Sequence, residues 1–285
     1  MKRVLVAGAG GMTGHMMYHY LNSTGKYEMR ATARDRIDGI EYLYADIEKN
    51  IDAFKDIVRS VAPNVIINCI GVLVKPSNEN PTRAIIGNSL FPHILEDLCR
   101  EIDAKLIHIS TDCVFDGKNG PYDESSVPTE TNWYGRTKAL GEIINGKDLT
   151  LRTSIIGPEL KKNGSGLFEW FMRQTGTVTG YIDVRWNGIT TLELAKQVDR
   201  ILDTDLTGLY HLTPNAHVSK GKLLKDIQDI WGKMDVEIEM VCSKDPRSKI
   251  LINNRIQEYD PMIPDYQTQL IELRDFMRPA PCNGI

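Results

Sequence analysis

Val4-Leu5-Val6-Ala7-Gly8-Ala9-Gly10-Gly11-Met12-Thr13-Gly14 is the stretch from which the fold can be read. Its first four residues are a short continuous apolar run, the pattern of a strand covered on both faces. Glycine then recurs at positions 8, 11 and 14, and a helical apolar pattern follows through Met16, Met17, Tyr20 and Leu21. Strand, tight glycine turn and helix N-terminus together make an anion site. Without Cβ atoms the backbone lets a pyrophosphate come close, and the helix dipole and free N–H groups favour its charge. Gly8, Gly11, Met12, Thr13 and Gly14 are therefore expected to bind a dinucleotide. The competing reading is a structural glycine turn, which glycine spacing alone does not exclude.

Outward from that turn, apolar runs alternate with helical patterns. Glu28 to Thr32 reads as a second strand. An NAD-preferring fold sets an acidic residue about 20 residues past the glycines, on the ribose 2′-hydroxyl. This chain has Ala33-Arg34-Asp35-Arg36 there. Arg34 and Arg36 suit a 2′-phosphate, which arginine pairs bidentately. Asp35 could serve a 2′-hydroxyl instead, so NADP(H) is favoured and NAD(H) stays open. The plain alternative is two solvated arginines in a loop. Tyr42 to Ala45 is a third strand, with Asp46 and Ile47 at its carboxyl end, where a side chain could face an adenine. A helix through Ile51, Phe54, Ile57, Val58 and Val61 ends at Pro63. Val65-Ile66-Ile67 is a fourth strand, running into Asn68-Cys69-Ile70-Gly71. Asn88 to Ile102 is a helix, and Leu106 to Ile109 a fifth strand ending in Ser110-Thr111-Asp112. Leu149 to Ile156 is a sixth. This alternation predicts an α/β fold, a Rossmann-type doubly wound parallel sheet over residues 1–156. Ligands in such sheets sit beyond the carboxyl ends of the strands, where every candidate so far falls.

Tyr134-Gly135-Arg136-Thr137-Lys138 follows a turn-rich loop, Val114 to Trp133, of the kind that covers a site. On a helix Tyr134 and Lys138 leave one face, about 5–6 Å apart at Cβ. An isolated tyrosine titrates near ~10, and a neighbouring cation favours the phenolate. The expectation is a phenol tuned by Lys138 to exchange a proton with a sugar or alcohol oxygen, with the Thr111 hydroxyl bonding the same oxygen. Taken alone, the Tyr-x-x-x-Lys spacing is equally that of a solvated helix face.

Beyond Gly157-Pro158 the pieces become shorter and less regular. Residues 157–278 are expected to form mainly a smaller α/β substrate lobe, part of which could return to the sheet, and 279–285 a loose tail. Arg173, Arg185 and Trp186 could hold a diphosphate or stack on a base. Surface arginines and a core tryptophan are the alternative. Composition narrows the class further. The 285 residues are 41% hydrophobic and 25% charged, with net charge −4. That gives no electrostatic reason to expect nucleic acid or an anionic membrane. The five cysteines are scattered without a C-x-x-C pair, as reduced cytosolic thiols are, so a cytoplasmic setting is expected. The N-terminal apolar run is too short for a signal peptide, and no 18-residue apolar window spans a bilayer. His15 and His19 lie four apart but lack the glutamate of an H-E-x-x-H pattern and a third ligand, so no metal is expected.

The joined motifs resemble those of the extended short-chain dehydrogenase/reductases, and within them the dTDP-4-dehydrorhamnose reductase group. The resemblance rests on the N-terminal glycines, on Ser110 to Gly117, on Pro121-Tyr122-Asp123-Glu124 and on Tyr134 to Glu142, together with their spacing. Asn187 to Ala195 resembles that group's C-terminal lobe. It implies a sugar-nucleotide 4-keto reductase, reducing C4 of a nucleoside-diphosphate 4-keto-6-deoxysugar with NADP(H), and with a homodimer as one arrangement open to it. Tyr134 would be the acid, Lys138 would lower its pKa and bind the nicotinamide ribose, and Thr111 would bond the substrate oxygen. Cys69 and Gly71 would line the cofactor site, and Val74 and Cys113 the substrate site. Cys113 stands where the group often has tyrosine, and Asn68 to Leu73 where relatives are alanine-rich, which leaves the sugar open. Two alternatives remain. One is an NAD-retaining epimerase or dehydratase, although no glutamate follows Asp112 as dehydration would ask. The other is a catalytically silent regulatory subunit, against which the intact Thr111, Tyr134 and Lys138 speak.

Overall fold

A computed structural model describes residues 1–161 and 164–278. The tail expected at 279–285 lies outside the described residues. The elements run β1 (Lys2–Ala7), α1 (Met12–Ser23), β2 (Tyr27–Ala33), β3 (Leu43–Tyr44), α2 (Ile51–Val61), β4 (Val65–Asn68), α3 (Val74–Glu79) and α4 (Pro81–Ala84). A π-helical turn, Ile85–Leu90, leads into α5 (Phe91–Glu101), β5 (Lys105–Thr111), α6 (Trp133–Leu140), β6 (Leu149–Thr153) and β7 (Ile155–Ile156). Then come α7 (Leu167–Met172), β8 (Gly176–Tyr181), β9 (Arg185–Trp186), β10 (Ile189–Thr190), α8 (Thr191–Ile201) and β11 (Gly208–His211). β12 (Val218–Ser219), α9 (Lys220–Trp231), β13 (Val236–Val241) and α10 (Tyr266–Met277) complete the chain.

Seven strands form one parallel sheet in the order β11-β6-β5-β4-β1-β2-β3. The apolar runs alternate across it as a doubly covered sheet requires. Val4, Val6, Val65, Ile67, Ile107 and Ile109 face Met17 and Leu21 of α1 and Leu194 and Val198 of α8. Leu5, Ala7, Ile66 and Leu106 face Phe54 and Val58 of α2 and Phe91, Leu95 and Leu98 of α5. A second core, with Phe168, Phe171, Val178, Leu223, Ile227, Val236 and Leu270, holds the smaller lobe. There β8 pairs parallel with β13, and β9 antiparallel with β12.

The structure departs from the sequence reading in three places. Leu149 to Ile156 is not one strand: it breaks at Ser154, because Ile155 and Ile156 leave the sheet to pair with Ile189 and Thr190. The helix read from Asn88 is entered through α3, α4 and the π turn, so Asn88 sits in mid-turn rather than at a helix start. Helix α10, capped by Asp265 accepting from Thr268 N–H, was not read at all. Residues of the range 157–278 are shared between the sheet and the lobe. α8, capped by Thr190, packs on α1, and β11 pairs with β6, so this stretch serves the sheet as well as the lobe. Among the described residues no helix is long and apolar enough to cross a membrane.

Candidate active site

At the end of β1 the chain turns through Gly8, whose φ is +87°. A Cβ on Gly14 would lie 2.2 Å from the Gly8 carbonyl oxygen, so only glycine lets α1 start this close to the strand. Gly11 caps α1 without a side-chain hydrogen bond, and its first turn carries no acidic residue. The N–H groups and dipole there remain available to an anion. A cavity of about 150 Å³ opens beside this turn, lined by Gly8, Gly11, Arg34, Asp46, Ile47, Cys69 and Gly71 among others. Met12 and Thr13 begin α1 next to it and do not line it. Three cations and three carboxylates line the cavity, and each cation is ion-paired. Arg34 Nη1 is 3.0 Å from Glu48 Oε1, and Arg83 Nε is 2.8 Å from the same oxygen. Lys161 Nζ lies 3.5 Å from Asp35, which also pairs with Arg34. Arg36, read as a second phosphate ligand, points elsewhere: 88% exposed, it pairs with Asp38. Glycine backbone, a bare helix end and the cations Arg34, Arg83 and Lys161 fit a dinucleotide bearing a ribose phosphate.

The reactive side chains stand on α6. Asn132 caps it by accepting from Gly135 N–H at 2.9 Å. A Cβ on Gly135 would fall 2.4 Å from the Cys113 carbonyl oxygen, so glycine again permits the approach that sets Tyr134 against the end of β5. Thr111 Oγ1 accepts from Cys113 N–H at 3.1 Å, donates to Asp112 Oδ1 at 3.2 Å, and hydrogen-bonds the Tyr134 phenol. Asn88 fixes the opposite side. Its Oδ1 accepts from Val72 N–H at 2.7 Å, and its Nδ2 donates to Val72 O at 3.0 Å and to Thr137 Oγ1 at 3.1 Å. The loop after β4 is thereby stapled to α6 through a π turn, a feature frequent at functional sites.

The expected tuning of Tyr134 by Lys138 is not present. Burial pushes the phenol above its ordinary value, Cys113 and Asp112 add to that, and only the Thr111 hydrogen bond opposes them. Lys138 is engaged elsewhere. Its Nζ donates to the Ile109 carbonyl at 2.7 Å and lies 3.4 Å from His108 Nε2. Burial lowers Lys138 to about 8, against an upward pull from Glu142 and Cys69.

A second cavity, about 650 Å³, opens on the lobe side and is lined by Asp112, Cys113, Ser154, Arg185, Trp186 and Lys249 among others. Trp186 is packed in the lobe core with its Nε1–H on Ser154 Oγ at 2.8 Å. Burial raises the Asp112 carboxyl and the charge of Lys249 draws it back down. Lys249 Nζ also meets Glu130 Oε2 at 3.3 Å. Two of the expected substrate contacts lie elsewhere. Arg173 donates to the Gly164 carbonyl, and Val74 opens α3 as an exposed residue; neither lines this cavity. Sequence reading missed Asn88, Lys249, Arg83 and Glu48. A buried asparagine inside an apolar helical pattern was a usable signal for the first; the others meet the site only through tertiary contacts. His15 turns its Nδ1 to the Gly11 carbonyl at 2.9 Å.

A parallel Rossmann sheet, a glycine turn beside one cavity, and Thr111, Tyr134 and Lys138 grouped where α6 meets the end of β5, lining neither cavity, define an extended short-chain dehydrogenase/reductase. Residues 1–250 match the model of the RmlD substrate binding domain, and the chain belongs to that family. It is 27% identical over 221 residues to the dTDP-4-keto-6-deoxy-D-glucose reductase of Streptomyces niveus, covering 74% of this chain and 72% of that protein. It is 32% identical over 245 residues to the methionine adenosyltransferase 2 subunit beta of Danio rerio, covering 81% and 74%. Among solved structures, the dTDP-4-dehydrorhamnose reductase of Bacillus anthracis in complex with NADP superposes with a TM-score of 0.81 at 22% identity, covering 98% of this chain and 100% of that one.

Proposed function

We propose that the protein is an NADP(H)-dependent reductase of the C4 keto group of a nucleoside-diphosphate 4-keto-6-deoxysugar. One observation carries this reading: α6 is set between the two cavities. Its Gly135 packs on the carbonyl of Cys113, which lines the larger cavity, and its Thr137 is tied through Asn88 to Val72, which lines the glycine-turn cavity. When bound, the nicotinamide supplies the hydride to C4. The chain's own residues do the rest. Arg34, helped by Arg83, holds the 2′-phosphate, and the Gly8–Gly14 turn holds the pyrophosphate. Thr111 Oγ1 and the Tyr134 hydroxyl converge on the C4 oxygen, and Tyr134 gives it a proton as negative charge develops there. A phenol that burial keeps protonated is a proton donor ready for that step. A charged Lys138 stabilises the phenolate left behind. Much of the rate comes from holding two reactants at one distance. The Streptomyces relative supports the reaction class.

The Danio rerio relative favours a second reading, a non-catalytic subunit that keeps the cofactor site. The retained Thr111, Tyr134 and Lys138 favour the enzyme. The deciding assay is incubation with NADPH and a dTDP-linked 4-keto-6-deoxysugar. Stoichiometric loss of NADPH with formation of the 4-hydroxy sugar supports the reductase. Sugar interconversion without net NADPH loss supports a cofactor-retaining epimerase, and tight NADPH binding without turnover supports the subunit.

A further inference from the structure

We propose that His108 is a positioning residue that stores Lys138 as a neutral amine in the free protein at alkaline pH, so that a ligand accepting hydrogen bonds from Lys138 draws in a proton as it binds. The ligand half of this inference rests on Lys138 contacting the cofactor ribose. The His108 half stands on hydrogen-bond arithmetic in the buried row Asn68, His108, Lys138.

Ile70 N–H can only donate, and it lies 3.1 Å from Asn68 Oδ1. The amide oxygen of Asn68 therefore faces the backbone, and its Nδ2 faces His108 Nδ1 at 3.0 Å. An amide nitrogen only donates, so Nδ1 accepts and carries no proton. The proton of the neutral ring is then on Nε2, the nitrogen 3.4 Å from Lys138 Nζ. An ammonium has three donors and no acceptor, so a charged Lys138 would set N–H against N–H. A neutral amine accepts the Nε2 proton while donating to the Ile109 carbonyl at 2.7 Å. Each partner in the row is satisfied only when Lys138 is uncharged.

The surroundings agree. Asn68 and His108 are fully buried, and Lys138 nearly so. Cys69, from the end of β4, is held as a neutral thiol, pushed up to about 12 by burial. Glu142, beyond α6, is the carboxylate pulling Lys138 up, but it is spent on Arg152 Nη2 at 2.7 Å and Ser110 Oγ at 2.7 Å. Tyr134, one turn back on α6, is kept protonated by burial. His108 is pushed well below its ordinary value by burial, then by the charges of Lys138 and His93. Lys138 in turn sits at about 8, so near neutrality its charge is decided by what it touches. Ribose hydroxyl oxygens would add acceptors and favour the ammonium.

The test begins on the free, full-length protein. Nitrogen-15 NMR of His108 is expected to show the Nε2–H tautomer, unchanged to well below pH 6, with Lys138 Nζ titrating near 8. An Nδ1–H tautomer, or an ammonium persisting past pH 10, overturns the proposal. Calorimetry of NADPH binding in two buffers of different ionisation enthalpy then reads the proton. Uptake is expected to approach one proton per site at pH 9 and to fall several-fold at pH 7. In His108→Leu the uptake at pH 9 should fall by at least half. Tight NADPH binding at pH 9 without uptake overturns the proposal. Failure to bind NADPH overturns the cofactor reading instead, and the NMR titration still decides the role of His108.

Discussion

Tyr134 shows why a residue's neighbours in space outweigh its neighbours in sequence. The four-residue spacing to Lys138 is real, but its side chain is turned to Ile109 and His108, and burial dominates the phenol. Tyr134→Phe is expected to lower kcat by about 10²–10⁴-fold while NADPH affinity stays within about twofold; single-turnover rates and a fluorescence titration separate the two. Arg34→Ala is expected to weaken NADPH far more than NADH, because it removes a bidentate phosphate partner. Glu48 holds both Arg34 and Arg83. Glu48→Gln should therefore tighten NADPH severalfold and leave NADH unchanged, as competition binding would show. Thr111, Tyr134 and Lys138 were legible because each follows a recognisable strand end or helix. His108 and Lys249 were not: their partners are tens of residues away, and nothing local marks them.

At the level of elements, α6 is held in place by a buried ion pair just beyond it. Arg152 on β6 grips Glu142 through two hydrogen bonds of 2.7 Å, and Ser110 donates to the same carboxylate. Removing one partner strands the other charge, so Glu142→Ala is expected to cost about 3–5 kcal/mol in urea unfolding. Lys138 makes a pH-dependent contribution of the opposite kind. Its folded value, about 8, lies below the ordinary ~10.4 of an unfolded lysine. Between those values the unfolded chain binds more protons, so stability rises with pH; below about 8 the full cost of burying the charge is present. Lys138→Met should thus raise Tm at pH 7, with the gain fading toward pH 10.4. The strands of the sheet were legible as apolar runs, and α2 and α8 as periodic patterns. The break at Ser154 and the π turn were not, since each depends on where the chain goes next.

For the whole molecule, the sheet and the lobe are interleaved in sequence rather than joined end to end. The first half of the chain reads as a complete nucleotide-binding unit, because six strands and their helices alternate there. What it conceals is that β6 finds its outer neighbour only in residues 208–211. A fragment ending at Ile156 is therefore expected to aggregate rather than give a monomer on gel filtration, as its last long strand presents an open edge. The same arrangement bears on biogenesis. A ribosome delivers residues at about 5–20 per second, N-terminus first. For several seconds a nascent chain would carry a sheet one strand short, with Leu149 and Leu151 uncovered by α8 and sticky toward other polypeptides. Chaperone demand during translation should accordingly peak before β11 emerges and drop once it has docked.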